Sequence, residues 1–295
     1  MVEIPSATPT NAKQLVWYIT GTSSGLGARL TNILLERGDK VIATGRSLGR
    51  LNFPPHENLR LQECDVTIGL AKLKEKAAEA VAFFGRVDVV VNNAGMGFKA
   101  FLEEGGSDEL RKQYDVNVFG LLDVTNAFLP YLREQRSGTI VLMGSRTSWL
   151  PEMPTGGLYS TSKAAVRVMG ECLATELSPL GIRVLIVEPG AFRTENILSR
   201  PLFAGNKIAD YDGVRAVMER KYKEVAGHQP GDPVKAMRVL ADVVRGEGVA
   251  RGKEWPLYLP LGVEAEDAIR GKCKRMTGVL DAWGDVIRDT RLDNP

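Results

Sequence analysis

Short apolar runs alternate with amphipathic stretches along most of the chain. The runs are rich in Val, Ile and Leu and lack polar alternation, which predicts strands buried on both faces. Apolar residues that recur at three- and four-residue spacing predict helices. We expect strands at residues 14–20, 40–44, 58–64, 87–91, 138–143, 183–187 and 256–260. We expect helices at residues 26–37, 69–84, 107–134, 158–178, 212–226, 233–245 and 264–288.

The regular exchange of strands and helices predicts a parallel sheet, because parallel neighbours need crossover connections. We find no internal repeat and no linker that divides the chain. The predicted organisation is a flexible N-terminal segment over residues 1–13, followed by one doubly wound α/β domain over residues 14–295. The pattern loosens after the sixth strand, between residues 195 and 230, where Gly, Pro and charged residues mix.

Composition excludes several classes of function. The formal net charge of +2 comes from 38 basic and 36 acidic residues without a dense basic run, which gives no support for nucleic-acid binding. Three scattered cysteines and two histidines argue against a metal site and a disulfide framework, so no metal is predicted. The polar N-terminus and the absence of a long apolar run favour a cytoplasmic protein without a membrane span.

A glycine-rich turn follows the first strand. Its glycines have the spacing G-x-x-x-G-x-G, which lets backbone N–H groups approach a phosphate at the start of a helix. Such a turn is typical of dinucleotide sites, although an ordinary strand-to-helix turn can contain the same glycines. The candidate cofactor-binding residues here are Gly21, Ser23, Ser24, Gly25, Leu26 and Gly27.

The end of the second strand indicates which dinucleotide is bound. Sites for NAD usually carry an acidic residue there, whereas this chain has Arg46. A guanidinium binds phosphate oxygens through two parallel hydrogen bonds and suits the 2′-phosphate of NADP(H). The predicted cofactor is NADP(H); the alternative is an ordinary surface arginine.

Tyr159 and Lys163 stand four residues apart in a predicted helix and therefore share one face. A nearby cation lowers the pKa of a tyrosine, which makes the phenol usable as a general acid or base. Taken alone, this spacing is common in helices and carries little information.

Several motifs in a fixed order together resemble the classical short-chain dehydrogenases/reductases. They are the glycine turn, Asn92-Asn93-Ala94-Gly95 after the fourth strand, Ser145, and the pair Tyr159 and Lys163. The likeness covers about residues 14–195, and the tail more weakly resembles retinol- or hydroxysteroid-dehydrogenase-like members. The resemblance implies a Rossmann-type fold and a homodimer or homotetramer.

The resemblance also implies roles for single residues. Tyr159 would exchange a proton with the substrate oxygen, Ser145 would hold the substrate carbonyl, and Asn117 would support a proton relay. Lys163 would lower the pKa of Tyr159 and hydrogen-bond the nicotinamide ribose, so that Tyr159 and Lys163 would also line the cofactor site. Further cofactor contacts would come from Asp65, Val66, Asn93, Ala94, Gly95, Pro189, Gly190, Phe192 and Thr194. Some of these residues have a structural alternative: the asparagines can satisfy buried backbone groups, Asp65 can form a turn or cap and Phe192 can pack a loop.

The serine departs from the family spacing. It usually lies 13 residues before the tyrosine, but Ser145 lies 14 before Tyr159, and position 146 is an arginine. We interpret this as a one-residue insertion in the loop over residues 149–157, with Ser148 as the weaker alternative.

The predicted function is oxidoreduction of a ketone, aldehyde or secondary alcohol. A dehydratase, isomerase or epimerase on the same scaffold and a nucleotide-sensing binding module are the alternatives. The substrate is expected to be a small-molecule carbonyl or alcohol that is medium-sized or hydrophobic, covered by residues 195–230. The apolar residues expected around it are Trp149, Leu150, Met153, Ile197, Leu198, Leu202, Phe203, Tyr211 and Met218.

Overall fold

Seven strands form one parallel sheet in the computed structural model, which describes residues 13–150, 153–195 and 200–292. The strand order is β3-β2-β1-β4-β5-β6-β7, and every pair of neighbours is parallel. The strands are β1 (Val16–Ile19), β2 (Lys40–Gly45), β3 (Leu59–Glu63), β4 (Val89–Asn92), β5 (Gly138–Met143), β6 (Ile182–Pro189) and β7 (Tyr258–Leu261). The predicted Rossmann-type α/β fold is confirmed.

Helices cover both faces of the sheet. They are α1 (Gly25–Glu36), α2 (Leu70–Phe84), α3 (Leu102–Tyr114), α4 (Gly120–Gln135), α5 (Gly157–Leu177), α6 (Asp212–Val225), α7 (Pro233–Arg245) and α8 (Val263–Arg288). Helices α2, α4 and α5 share one buried apolar cluster with the sheet, and α1 and α7 share the other. In the part of the chain that is described, no helix combines the length and apolarity that crossing a bilayer requires.

The apolar strands bury both of their faces, as their composition predicts. Tyr18 and Ile42 point into the cluster with α2, α4 and α5, whereas Trp17 and Val41 point into the cluster with α1 and α7. Successive side chains of a strand lie on opposite faces, so each strand joins the two cores. Trp17 has no exposed surface at all.

The helix predicted over residues 107–134 is two helices with an irregular start. Gly106 has φ 58° and bends the first turn of α3, and a π-turn over Asp115–Phe119 separates α3 from α4. A π-turn is one residue wider than an α-helical turn and shifts the apolar pattern by only a single residue. The apolar residues before and after it therefore still show helical spacing. The sequence pattern therefore predicted one continuous helix.

The strand order places a topological switch point between β1 and β4. From there the chain winds outward in two directions, which leaves a crevice beyond the carboxyl ends of the strands. The glycine turn follows β1, Arg46 follows β2, Asn93 follows β4 and Ser145 follows β5. All of these predicted site residues therefore lie along one edge of the sheet.

Candidate active site

The glycine turn packs directly against the end of β4. Gly21 has φ 70°, and a Cβ on it would lie 2.8 Å from the Cα of Ala94. A Cβ on Gly27 would lie 2.5 Å from Nδ2 of Asn93. Side chains at these two positions would force the turn away from β4, so glycine is required for the close approach.

Asn93 ties this turn to the sheet. Its side-chain amide donates hydrogen bonds to the carbonyl oxygens of Thr20 (2.8 Å) and Gly21 (2.9 Å). The hydroxyl of Thr20 accepts the backbone N–H groups of Asn93 (3.0 Å) and Ala94 (2.9 Å). The sequence analysis missed Thr20, which shapes the floor of the crevice together with Asn93.

An anionic group already occupies the first turn of α1. The carboxylate of Glu195 accepts the backbone N–H of Gly25 at 3.1 Å and binds Arg29 at 2.6 Å. The hydrogen bond with Arg29 is the main reason that the pKa of Glu195 falls to about 2. The carboxylate oxygens stand in for phosphate oxygens, so the N–H groups and positive charge here fit the pyrophosphate of a dinucleotide. Neither Arg29 nor Glu195 was among the predicted site residues.

The other predicted residues of the glycine turn lie beside this position. Ser23 is exposed, and Ser24 and Leu26 are half-buried at the start of α1. The Cβ of Thr194 would lie 4.0 Å from a Cβ on Gly25. The structure thus brings the turn and the segment after β6 together.

On the adenine side, the predicted residues have structural roles of their own. Arg46 is exposed immediately after β2. Asp65 accepts the backbone N–H (3.0 Å) and the hydroxyl (2.8 Å) of Thr67, which is the turn role considered for it. Val66 is buried against Gly120 at the start of α4.

The segment after β6 is held mainly by packing. Pro189 ends the strand, and the N–H of Gly190 donates to the carbonyl of Leu261 at 2.8 Å. The Phe192 side chain is buried in the core cluster with α1 and α7, and its backbone bridges to Gly231. The side chain of Phe192 therefore packs the loop, which was the structural alternative for this residue.

Tyr159 and Lys163 converge on the same edge from α5. The Nζ of Lys163 lies 5.7 Å from the centroid of the Tyr159 ring and donates a hydrogen bond to the carbonyl of Met143 at 2.6 Å. Lys163 is 5% exposed, and the Tyr159 ring packs on Gly97. The phenol and the ammonium thus lie on one helix face above the end of β5.

Burial dominates the electrostatics of this pair. Desolvation raises the pKa of Tyr159 above its usual value, and contact with the Ser145 hydroxyl acts in the opposite direction. Desolvation also lowers the pKa of Lys163 to about 8. The sequence predicted that Lys163 would lower the pKa of Tyr159, whereas burial is the largest influence in the folded chain and raises it.

Asn117 lies at the centre of the π-turn and is fully buried. Its Nδ2 donates to the carbonyl of Met96 (2.9 Å) and to the Ser162 hydroxyl (3.0 Å), and its Oδ1 accepts the Met96 N–H (2.9 Å). A Cβ on Gly95 would lie 3.3 Å from Oδ1 of Asn117 and 3.7 Å from Nζ of Lys163. Asn117 and Lys163 thus line the same narrow space at Gly95.

Ser145 takes the position beside the tyrosine. It is 7% exposed, and its hydroxyl accepts from the Thr147 backbone N–H at 3.3 Å. Ser148 instead directs its hydroxyl to Glu188. The insertion in the loop over residues 149–157 stays a prediction, because residues 151 and 152 are outside the described part of the chain.

Glu188 is a buried carboxylate at this edge that the sequence analysis missed. It accepts the backbone N–H of Ser145 at 2.7 Å and has no exposed surface. Burial raises its pKa to about 7. Its signal in the sequence was available: a charged residue between Val187 and Pro189 interrupts the apolar end of the strand.

The segment expected to cover the substrate is docked through α6. Arg215 forms an ion pair with Glu104 of α3, and the side chains are 10% and 0% exposed. The Tyr211 ring stacks on Phe101 with centroids 4.5 Å apart, and Tyr222 bonds to Thr155 at 2.7 Å. Helix α6 therefore covers the loops beside Tyr159 through polar and aromatic contacts.

Several residues expected around the substrate pack elsewhere. The Trp149 ring lies against the guanidinium of Arg167 (4.5 Å) and the edge of Tyr258 (6.0 Å), and Met218 is 3% exposed. Half-buried positions remain at Leu150, Met153, Leu202 and Phe203. Ile197 and Leu198 are outside the described residues.

No site of a metal ion emerges from the described residues. Over ranges 13–150, 153–195 and 200–292, no three His, Cys, Asp or Glu side chains are placed to hold one. Cys64, Cys172 and Cys273 are free thiols.

Comparisons with known proteins agree with this geometry. The family model for short chain dehydrogenases matches residues 15–201. Oxidoreductase BOA17 of Botryotinia fuckeliana is 31% identical over 281 residues, which are 92% of this chain and 97% of the relative. A short-chain dehydrogenase structure from Streptomyces avermitilis is 33% identical with a TM-score of 0.82, covering 95% of this chain and 100% of that one.

A second similar structure was solved with a bound nucleotide. It is the closed form of serine dehydrogenase complexed with NADP⁺, which is 25% identical, has a TM-score of 0.66 and covers 84% of this chain and 94% of its own. The glycine turn, the edge of the sheet and the family match point to one conclusion. The chain belongs to the short-chain dehydrogenase family of oxidoreductases.

Proposed function

We propose that the protein is an NADP(H)-dependent oxidoreductase that interconverts a carbonyl and an alcohol. The observation that carries the proposal is the convergence of Tyr159, Ser145 and Lys163 at the edge of the sheet, next to a helix start that binds an anion. Asn117 supports this group from behind through its bonds to Met96 and Ser162.

In the proposed reduction, Tyr159 donates its proton to the substrate oxygen, and in the oxidation it accepts one. Ser145 donates a hydrogen bond to the same oxygen and stabilises the negative charge that develops on it. The nicotinamide supplies or accepts the hydride when it is bound. Lys163 contributes positive charge behind the phenol, which favours the phenolate form of Tyr159.

The cofactor preference rests on charge at the end of β2. Arg46 is exposed there, and residues 43–47 include no carboxylate that could take the ribose 2′-hydroxyl. A 2′-phosphate can bind to this guanidinium, whereas the 2′-hydroxyl of NAD leaves it without a partner. The serine dehydrogenase of this fold that was solved with NADP⁺ is consistent with that preference.

The substrate class follows from the covering segment. Leu150, Met153, Leu202 and Phe203 are half-buried, which suits a medium-sized apolar carbonyl. The homo-oligomeric state and the cytoplasmic location expected from the sequence stay predictions.

The test is a screen of apolar ketones, aldehydes and secondary alcohols, followed by the absorbance of NADPH with NADH as the control. We expect turnover with NADPH, a preference over NADH, and consumption of one NADPH per carbonyl reduced. Tyr159→Phe should lower kcat by roughly a thousandfold or more, because the proton donor is lost. Its NADPH affinity should stay within about threefold of the wild type. A Tyr159→Phe variant with the wild-type rate would refute the mechanism.

A further inference from the structure

Glu188 places a carboxylate inside the buried part of β6. The strand is apolar on either side of it, and Glu188 has no exposed surface. A buried carboxylate loses its hydration, which is costly unless hydrogen bonds and nearby charges replace the water. The contacts of Glu188 show where this compensation comes from.

The carboxylate holds the chain at the end of β5. Its Oε2 accepts the Ser145 N–H at 2.7 Å, and the Ser148 hydroxyl lies 3.3 and 3.4 Å from its two oxygens. A Cβ on Gly144 would lie 2.9 Å from the carboxyl carbon. Glycine at position 144 thus makes room for the carboxylate, which in turn fixes the direction of the backbone at Ser145.

The charge of Glu188 also acts on the proposed acid and base. The charge of Glu188 raises the pKa of two groups of α5, Tyr159 and Lys163. A third group of α5, the guanidinium of Arg167, lowers the pKa of Glu188. Burial is the largest influence and brings the pKa of Glu188 to about 7. Its charge is therefore present in the pH range where Tyr159 ionises.

We propose that Glu188 is a positioning residue for the reaction proposed above. It holds Ser145 beside Tyr159 through the Ser145 amide, and it places a buried negative charge at the end of the sheet where Tyr159 and Lys163 lie. This inference rests on the proposed function where it concerns the rate of carbonyl reduction. The ionisation of Tyr159 can be measured without a substrate.

Two substitutions separate the two parts of this role. Glu188→Gln keeps an oxygen that can accept the Ser145 N–H but removes the charge. Glu188→Ala removes both and leaves the buried Ser145 amide without its acceptor. Glu176→Gln is the matched control, because it removes a carboxylate from an exposed position of α5.

The measurement is the absorbance of tyrosinate as a function of pH. Each protein is compared with the same protein carrying Tyr159→Phe, so that the difference reports Tyr159 alone. Removal of a negative charge favours the phenolate, and we expect Glu188→Gln to lower the midpoint by about half to one pH unit. Glu176→Gln should leave the midpoint unchanged.

Activity gives the second readout. We expect Glu188→Gln to keep kcat within about threefold of the wild type, and Glu188→Ala to lose roughly tenfold or more because Ser145 is misplaced. An unchanged Tyr159 midpoint in Glu188→Gln would refute the electrostatic role, and full activity of Glu188→Ala would refute the positioning role. If no carbonyl is reduced by the wild type, the proposed function fails while the titration still decides the role of the charge.

Discussion

At the scale of single residues, hydrogen bonds between side chains and backbone groups hold the site together. Asn93 and Thr20 join the ends of β1 and β4 through side-chain-to-backbone bonds, and Glu188 does the same for Ser145. Glu195 is different, because its carboxylate lies on the N–H of Gly25, where the pyrophosphate of a dinucleotide would bind. Two anions cannot share that position, so in the proposed cofactor site Glu195 would have to leave it when a dinucleotide binds.

Replacement of Glu195 should therefore strengthen cofactor binding. Glu195→Gln weakens the bond to Arg29 and frees its guanidinium and the Gly25 amide for phosphate. We expect the Kd for NADPH to fall by roughly three- to tenfold, measured by fluorescence titration or calorimetry. Glu36→Gln, which changes an exposed carboxylate of α1, is the control. Weaker binding by Glu195→Gln would mean that Glu195 supports the occupied site.

At the scale of elements, short irregular segments aim the functional side chains. The π-turn between α3 and α4 directs Asn117 inward to Met96 and Ser162. Helix α6 is attached beside the site by a side chain on its buried face. This side chain is Arg215, which forms an ion pair with Glu104 on the first turn of α3. The segment proposed to cover the substrate is thus attached through this buried ion pair together with the contacts of Tyr211 and Tyr222.

Loss of this contact should loosen the cover without removing the chemistry. Arg215→Ala leaves Glu104 buried and unpaired, which disfavours the docked position of α6. We expect KM for the carbonyl substrate to rise by roughly tenfold, while the Kd for NADPH changes by less than about twofold. Lys221→Ala, at an exposed position of the same helix, should change neither constant. An unchanged KM in Arg215→Ala would show that α6 does not cover the substrate.

At the scale of the whole molecule, the parallel sheet brings distant residues to one edge. Gly21, Asn93, Ser145 and Tyr159 are far apart in the chain and meet because every strand of the sheet points the same way. Helix α8 lies outside this arrangement for most of its length. Ala265 and Ala268 near its start are buried, whereas Leu280 and Trp283 are 56% and 59% exposed.

The exposed part of α8 should contribute little to the stability of the domain. A chain that ends at Lys272 keeps the buried residues Ala265 and Ala268 and loses side chains that bury little surface. We expect its Tm to stay within about 2 °C of the full chain and its turnover to be unchanged. A chain that ends at Gly262 loses the buried residues as well and should unfold at least about 5 °C lower. A large loss of Tm on ending at Lys272 would contradict this view.

The sequence by itself determined the fold and the family. Apolar strands without alternation can be buried only in a sheet covered on both faces, and the glycine turn fits only where a backbone approaches closely. The order of the glycine turn, Asn93, Ser145 and Tyr159 was sufficient for the family, which the match over residues 15–201 confirmed. The catalytic and cofactor roles of the single residues stay predictions.

Only the tertiary structure decided which groups surround those residues. The contact between Glu188 and Ser145 joins residues 43 positions apart, and the contact between Gly25 and Glu195 joins residues 170 apart. Local patterns carry no information about such pairs, because the fold as a whole brings them together. For the same reason, the rise in the pKa of Tyr159 that burial causes became visible only in the folded chain.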